Sequence, residues 1–248
     1  MKAGRGKGCA LAPLSAAVAA AAVFVIIAAG LGYRAGWWHF LTGLRLAEWA
    51  VYASILALVG ALAAAWRTRG GAGRRGFAVA LLGIVLALPV VGVAIRWELA
   101  ARIHPPINDI STDLDEPPVF WDMPNPTDHP GALVADQQRQ GYPDLAPLRV
   151  AVPAQRVFAQ ALALVRERGW EIVAADETDL RIEATATSRL YGFSDEIVIR
   201  ITDDDGAAQV DMRSRSRLGR IDRGVNAARI RAFLQELAPR LQTVGERP

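Results

Sequence analysis

The chain has 248 residues, and its charge is divided unequally along its length. Residues 1–95 carry nine Lys or Arg and one acid, whereas residues 96–248 carry nineteen Arg and twenty-four Asp or Glu. The acidic balance of the C-terminal part argues against nucleic acid as a partner, because nucleic-acid binding needs a basic surface on the folded domain. The single cysteine, Cys9, excludes an intrachain disulfide.

Three long stretches near the N-terminus contain no charged residue: 8–33, 49–66 and 76–95. Each is close to or longer than the ~18–20 residues that a helix needs to cross a hydrocarbon core. None has the polar stripe of a helix on the surface of a soluble protein. We therefore predict three transmembrane helices within residues 1–97. A cleaved signal peptide followed by two spans is an alternative, although the first stretch is longer than a typical signal-peptide core.

The basic residues around these stretches predict the orientation of the chain. Lys2, Arg5 and Lys7 precede the first stretch, and four arginines lie between the second and third: Arg67, Arg69, Arg74 and Arg75. The loop between the first and second stretches has only two basic residues. The positive-inside rule then places the N-terminus in the cytoplasm. With three spans, the C-terminal domain lies across the membrane, which predicts a multi-pass protein of a bacterial inner (plasma) membrane with a periplasmic domain.

Residues 98–147, called the wrap, are rich in Pro and Asp. Proline lacks a backbone donor and fixes φ, so this composition predicts an extended, turn-studded segment without helix or sheet. Apolar residues such as Phe120, Trp121 and Tyr142 indicate that the wrap lies over the domain that follows it.

Residues 148–248 alternate in the manner of a small α+β domain. The pattern predicts a helix at 153–168 and another at 223–238, which Pro239 is expected to end. Between them it predicts four strands, at 170–176, 179–187, 195–202 and 208–216. Because both helices have one apolar stripe, they share one apolar sheet face. The predicted fold is a membrane-anchored α+β protein: three transmembrane helices, then a two-layer sandwich of helix, four-stranded antiparallel meander and helix.

The register of the last two strands follows from the dipeptide at 205–206, Asp-Gly, which favours a two-residue type I′ turn. Such a turn pairs Ile201 with Val210 on the buried side and Arg200 with Asp211 on the other side. It also pairs Ile199 with Met212 and Glu196 with Arg215. Both charged pairs are opposite in sign, and a shift by one residue would destroy them.

The polar side of this sheet, called the charged face, is the candidate ligand or partner surface. Its residues are Arg181, Glu183, Arg200, Asp211, Arg213, Arg215 and Arg217. An arginine cluster suits phosphate or carboxylate groups of a lipid or a partner protein. The structural alternative is a solvated sheet face with cross-strand ion pairs, or a face that the wrap covers.

No motif predicts a metal, a cofactor or a catalytic residue. The acidic run Asp109, Asp113, Asp115 and Glu116 lacks the ligand spacing and central glycine of an EF-hand loop. The three histidines are scattered, and no nucleophile with a base or Gly-rich phosphate loop occurs.

Several motifs in the C-terminal part resemble the domain of unknown function family 1499. They cover about residues 104–240 and read Asn108-Asp109-Ile110-Ser111-Thr112-Asp113, Tyr142-Pro143-Asp144, Gly169-Trp170-Glu171, Arg181-Ile182-Glu183-Ala184, Phe193-Ser194-Asp195-Glu196 and Asp211-Met212-Arg213-Ser214-Arg215-Ser216-Arg217-Leu218-Gly219, followed by Asp222, Gly224, Asn226, Arg229 and Ile230. The resemblance implies no activity or cofactor. It implies that the motif positions work together, in a polar network of Asn108, Asp109, Asp113, Asp195, Asp222, Asn226 and Arg229.

These features favour a non-enzymatic binding or assembly module, anchored in the membrane, for an envelope partner or an anionic lipid headgroup. The alternative is an enzyme acting on a lipid or cell-wall precursor, with an acid from Asp109, Asp113 or Glu183 beside the arginines. A transport role of the helices is disfavoured, because no charged residue lies within any of the three stretches.

Overall fold

A computed structural model describes residues 10–69, 74–124, 128–204 and 206–242. The chain divides into two compact units, Met1–Leu99 with Arg189–Gly192 and Ala100–Ser188 with Phe193–Pro248. Several residues used for prediction lie outside the described ranges: Lys2, Arg5, Lys7, Cys9 and Asp205.

The first unit contains three helices: α1 (Leu11–Arg34), α2 (Phe40–Thr68) and α3 (Arg74–Ile103). Each is long and apolar enough to cross a membrane, which confirms the three predicted apolar helices. The helices extend past the charge-free stretches, since a charged residue at the end of a membrane helix does not stop backbone hydrogen bonding.

Small side chains let these helices pack closely. Layers of alanine form between them, with Ala12, Ala64 and Ala80 in one layer and Ala19, Ala57 and Ala87 in another. Gly83 of α3 lies between these layers, where an added Cβ would come within 3.1 Å of the Ala61 side chain. Close backbone approach through Gly and Ala is the usual way in which apolar helices associate in lipid.

The second unit is an α+β domain, as predicted. Its remaining elements are β1 (Asp109–Ser111), α4 (Ala132–Gly141), β2 (Leu148–Val150), α5 (Ala154–Glu167), β3 (Glu171–Asp176), β4 (Arg181–Thr187), β5 (Ser194–Asp204), β6 (Ala207–Ser216) and α6 (Val225–Gln242). The apolar side chains of α5 and α6 pack on one face of the sheet, in a core that includes Phe158, Ile199, Met212 and Phe233.

The sheet has six strands in the described part of the chain, so the prediction of four strands is wrong. Its order is β1-β6-β5-β4-β3, and β2 also pairs with β6. The predicted register of β5 and β6 is confirmed: Ile201 lies opposite Val210, and Arg200 lies opposite Asp211. Gly206 has a φ of 90°, which glycine adopts without strain.

The wrap was predicted to contain neither helix nor strand, and this is wrong at three places, the first being the end of α3, which continues to Ile103. The strand β1 pairs antiparallel with β6, and the helix α4 lies between β1 and β2. Gln138 on α4 is buried and joins the two elements. Its side chain accepts a hydrogen bond from Ser111 N at 3.0 Å and donates one to Ser111 O at 2.5 Å. The short β1 is thus held on both sides, by a strand and by a side chain.

The last helix does not end at Pro239, contrary to prediction. α6 continues to Gln242 with Pro239 inside it. A proline in a helix removes one backbone hydrogen bond and costs about 3 kcal/mol. Leu237 and Leu241, on either side of Pro239, are both buried in the core. Their burial offsets that cost, because a fully buried leucine contributes about 1.5–3 kcal/mol.

Candidate functional site

The charged face lies on β4, β5 and β6, and part of the wrap crosses it. Glu183, Asp211 and Arg213 are all at most 1 % exposed. Phe120 of the wrap is fully buried and packs with Met123 against Val198 of β5. The wrap therefore covers the middle of the charged face in this structure.

Arg213 is a buried cation in this region. Its Nε donates to Asp109 Oδ1 at 2.9 Å, and its Nη2 donates to Asp109 Oδ2 at 2.8 Å. Its Nη1 donates to the backbone oxygen of Pro118 at 3.0 Å. The guanidinium also lies 4.9 Å from the centre of the Phe120 ring. This bidentate pair joins β1 to β6, and its further contacts attach the wrap to the sheet.

Glu183 fixes the next part of the wrap. Its carboxylate accepts hydrogen bonds from the backbone N–H of Trp121 at 2.6 Å and of Asp122 at 3.1 Å. Arg181 also donates to this carboxylate. Since buried carboxylates are expensive unless hydrogen-bonded, these donors explain how Glu183 is accommodated with no exposed surface.

A third buried acid, Glu196, binds the arginines at the end of β6. It accepts from Arg215 Nε at 2.7 Å and from Arg217 Nε at 3.0 Å. Arg215 also stacks on Phe120, with its guanidinium carbon 4.2 Å from the ring centre. The side chain of Arg217 is 37 % exposed, so the cluster reaches solvent at this residue.

One part of the charged face stays open. Arg181 and Arg200 lie directly opposite each other on β4 and β5, and like charges at such positions repel. They line a cleft of about 310 Å³, called the Arg181–Arg200 cleft. Its other lining residues are Pro118, Val119, Trp121, Asp179 and Val198. The ring of Trp121 is largely in solvent, since this residue is 70 % exposed.

Each arginine of the cleft is held from one end only. Both ion pairs of Arg181 use Nη1, which bonds to Asp122 and Glu183. Both ion pairs of Arg200 use Nη2, at 2.9 Å from Asp113 and 3.1 Å from Asp211. The Nε of Arg200 is buried and has no hydrogen-bond partner among the described residues. The cleft thus places an exposed indole ring beside two arginines.

A separate polar cluster lies at the start of α6 and is centred on Asn226. Its Oδ1 accepts from Ser214 Oγ at 2.8 Å and from Arg229, and its Nδ2 donates to Asn108 O at 3.0 Å. Arg229 also donates to Asp195 at 2.5 Å. This cluster joins α6, β6, β5 and Asn108 of the wrap.

Asp222 belongs to the same cluster and caps the N-terminus of α6. Its carboxylate accepts from the backbone N–H of Gly224 at 2.9 Å and of Asn226 at 2.7 Å. Burial raises its pKa, and these two hydrogen bonds act in the opposite direction. The structure does not bring two members of the implied network, Asp109 and Asp113, to this cluster. They bond to Arg213 and Arg200 instead.

Sequence reasoning missed Gln138 and the central role of Phe120. Neither belongs to a periodic pattern, because both lie in a segment whose positions are set by contacts with distant strands. For metals, the described ranges contain no group of three or more His, Cys, Asp or Glu side chains that could hold an ion.

Tyr142 carries a testable electrostatic feature. It is buried, and its hydroxyl has no hydrogen-bond partner among the described residues. Burial raises the pKa of Tyr142 to about 12; Asp222 acts in the same direction and Arg231 opposes it. The unfolded chain releases this proton near pH 10, so the stability of the domain is expected to fall as pH rises from about 10 to about 12.

Tyr142→Phe should remove this fall in stability. At neutral pH the variant is expected to be as stable as the wild type or up to ~1 kcal/mol more stable, because a buried hydroxyl without a partner is lost. Ultraviolet titration of tyrosinate would show one tyrosine fewer titrating near pH 12. A Tyr142 that titrates near its ordinary value in the native protein would contradict the assigned burial.

Comparison with known proteins agrees with the motifs. Residues 109–237 match the model of a family described as a protein of unknown function (DUF1499). The match covers 129 of the 248 residues, and the chain belongs to this family. No protein with a curated description matches the sequence.

Proposed function

We propose that the chain is a membrane-anchored, non-enzymatic binding module whose α+β domain docks a partner protein of the cell envelope at the Arg181–Arg200 cleft. The observation that carries this proposal is the exposed Trp121 beside the two opposed arginines. Tryptophan and arginine are the residue types most often found at the energetic centre of protein interfaces. The rest of the charged face is occupied in holding the wrap.

The charges around the cleft favour a protein over an anionic lipid headgroup. The two arginines are surrounded by more acids than they can neutralise: Asp113, Asp122, Asp179, Glu183 and Asp211. A phosphate placed here would meet a surplus of negative charge. A protein can instead cover Trp121 with an apolar side chain and offer an acceptor to Arg200, whose side chain is 31 % exposed.

The enzymatic alternative depends on Asp109, Asp113 or Glu183. Asp109 and Glu183 are buried and bond to Arg213 and to the wrap backbone, respectively. Asp113 accepts from the backbone N–H of Asp115 and of Glu116 and from Arg200. All three acids are engaged in hydrogen bonds that hold the domain together. Their engagement favours the binding function over the enzymatic alternative.

The proposal includes a location. Three helices of membrane-spanning length precede the domain; Arg67 lies in the last turn of α2, and Arg69 follows that helix. By the positive-inside rule these arginines face the cytoplasm, which places the domain on the opposite side, in the periplasm of a bacterium. An envelope partner is the class of protein that such a domain meets.

Trp121→Ala tests the docking surface. Truncation of an interface tryptophan typically costs at least 2 kcal/mol of binding, which is about a 30-fold loss of affinity. Native mass spectrometry of the full chain, gently extracted from its own membrane, should show a stoichiometric protein adduct for the wild type. The adduct should be absent or greatly reduced for Trp121→Ala.

Leu133→Ala is the matched control, because Leu133 is 73 % exposed and belongs to α4, outside the cleft. This variant should keep the adduct. Both variants should melt like the wild type, since both side chains are largely in solvent. An adduct that survives Trp121→Ala, or a wild-type chain that is bare, contradicts docking at the cleft.

A further inference from the structure

A loop between β6 and α6 presents a second surface with a different chemistry. Residues 217–225, which are this loop and the first residue of α6, are called the basic loop; they contain three arginines, three apolar residues and one acid. Leu218, Ile221 and Val225 are each about two-fifths exposed, and Arg220 is exposed. Asp222 is buried, and its carboxylate caps the first turn of α6. The outward surface of the basic loop is therefore apolar and cationic.

The shape of the basic loop is fixed by left-handed backbone conformations and by hydrogen bonds to Asn108 and Ile107. Gly219 and Gly224 have φ values of 88° and 84°, and Arg223 has a φ of 55°, which is uncommon for a residue with a Cβ. Gly219 O accepts a hydrogen bond from Asn108 Nδ2 at 2.7 Å, and Asp222 N donates to Ile107 O at 3.1 Å. A loop held in this way loses little conformational freedom when its side chains bind a surface.

The basic loop is anchored to the chain segment that directly follows α3. Besides Asn108 and Ile107, the loop contacts His104, the first residue after the helix. A Cβ at Gly224 would lie 2.8 Å from atoms of the His104 imidazole ring. The absence of a side chain at Gly224 therefore leaves the space that the ring occupies. Because α3 ends at Ile103 and its charge-free stretch ends at Ile95, His104 follows that stretch after nine residues, which is about 14 Å of helix.

We propose that the basic loop binds anionic phospholipid headgroups on the membrane that holds the apolar helices. Leu218 and Ile221 enter the boundary between headgroups and acyl chains, and Arg220 binds lipid phosphate. Arg220 makes no ion pair with any described residue, so its charge is available. Each arginine close to an anionic leaflet contributes about 1 kcal/mol. Exposed apolar side chains beside arginine are typical of surfaces that lie at the membrane interface.

This surface is independent of the Arg181–Arg200 cleft. At the cleft the acids outnumber the arginines, whereas the only acid of the basic loop is buried and used by α6. The two proposals therefore divide the domain into one surface for a protein and one for lipid, and either can fail without the other.

A polarity-sensitive fluorophore on the full chain tests the lipid proposal. Cys9 is the only cysteine, so Cys9→Ser provides a background in which Ile221→Cys carries the label. The labelled protein is reconstituted in nanodiscs of anionic lipid and in nanodiscs of zwitterionic lipid. The label at position 221 is expected to report an apolar environment in anionic discs, and less so in zwitterionic discs. Val173→Cys is the control, because Val173 on β3 is exposed to the same extent as Ile221.

The second arm removes one charge. Arg220→Gln, in the Ile221→Cys background, should lower the ratio of lipid-bound to free loop in anionic discs about fivefold, which corresponds to one arginine. Arg220 is exposed, so this change leaves the fold intact. Three results would overturn the proposal: equal signals at positions 221 and 173, a signal at 221 that is the same in both lipids, or a signal that Arg220→Gln leaves unchanged.

Discussion

Replacement of Arg213 by methionine is expected to lower the free energy of unfolding of the α+β domain by about 3–5 kcal/mol. Methionine keeps much of the side-chain volume but leaves Asp109 as a buried charge without its bidentate partner. It also leaves the backbone oxygen of Pro118 without a donor. The loss follows from the desolvation of Asp109, because a buried charge whose partner is removed is not compensated. Native-state hydrogen exchange of the β5 and β6 amides in the full chain measures this free energy.

Two further variants decide whether burial is the cause. Arg139→Met removes ion pairs whose side chains are all at least half exposed, and it should cost less than ~1 kcal/mol. The double replacement of Arg213 by Met and Asp109 by Leu removes both charges, so it should recover part of the stability lost by Arg213→Met alone. A double variant that is less stable than Arg213→Met would show that the pair acts through more than charge compensation. If Arg213→Met were as mild as Arg139→Met, Arg213 could not be buried as the structure places it.

Asn226→Ala is the second change expected to have a large effect, with a loss of about 3 kcal/mol. Asn226 is fully buried and uses both its donor and its acceptor atoms. Its removal leaves a cavity and leaves several polar groups with one partner fewer, among them Ser214 and the backbone oxygen of Asn108. Hydrogen exchange should show the loss in α6 and around Asn108 together, since the Asn226 amide joins them.

Asn226→Asp separates the two halves of this interaction. The variant keeps an acceptor for Arg229 but places a carboxylate oxygen against Asn108 O where Nδ2 donated, so a loss at least as large as that of Asn226→Ala is expected. Gln155→Ala, at an exposed position of α5, should change stability by no more than ~0.5 kcal/mol. Equal stabilities of Asn226→Ala and Gln155→Ala would contradict the buried amide network.

The β5–β6 hairpin shows why some of the fold was predictable. Its register depends on a two-residue turn and on alternation within about ten residues on each side, and both are visible in the sequence. The same holds for the apolar stripes of α5 and α6, which repeat at helical spacing. Local periodicity predicts these elements because apolar residues that face the core recur at a fixed interval along each element.

The strands β1 and β2 lacked such a signal. Each has three residues, which is too short for a period to be recognised, and each exists because β6 offers an edge on which it can pair. At Pro239 the sequence offered a local signal, and the prediction from it was wrong. A strong local signal to end the helix was overridden by the burial of Leu237 and Leu241, which no local rule registers.

For the candidate site, the sequence identified the charged face but could not distinguish its members. Arg200 and Arg213 obey the same alternation and belong to the same polar face, yet Arg213 is 1 % exposed whereas the Arg200 side chain is 31 % exposed. Their difference comes from Phe120 and Asp109 of the wrap, and Asp109 is 104 residues away from Arg213 in the chain.

By itself, therefore, the sequence determined the three apolar helices, the order of the principal helices and strands, the β5–β6 register and, through its motifs, the resemblance to the family. Only the tertiary structure decided which charges are covered, where the face stays open and which residues of the wrap hold the basic loop. The physical reason is range. Periodicity and turn chemistry act over a few residues, whereas the path of the wrap depends on contacts across about a hundred residues, whose partners a sequence does not name.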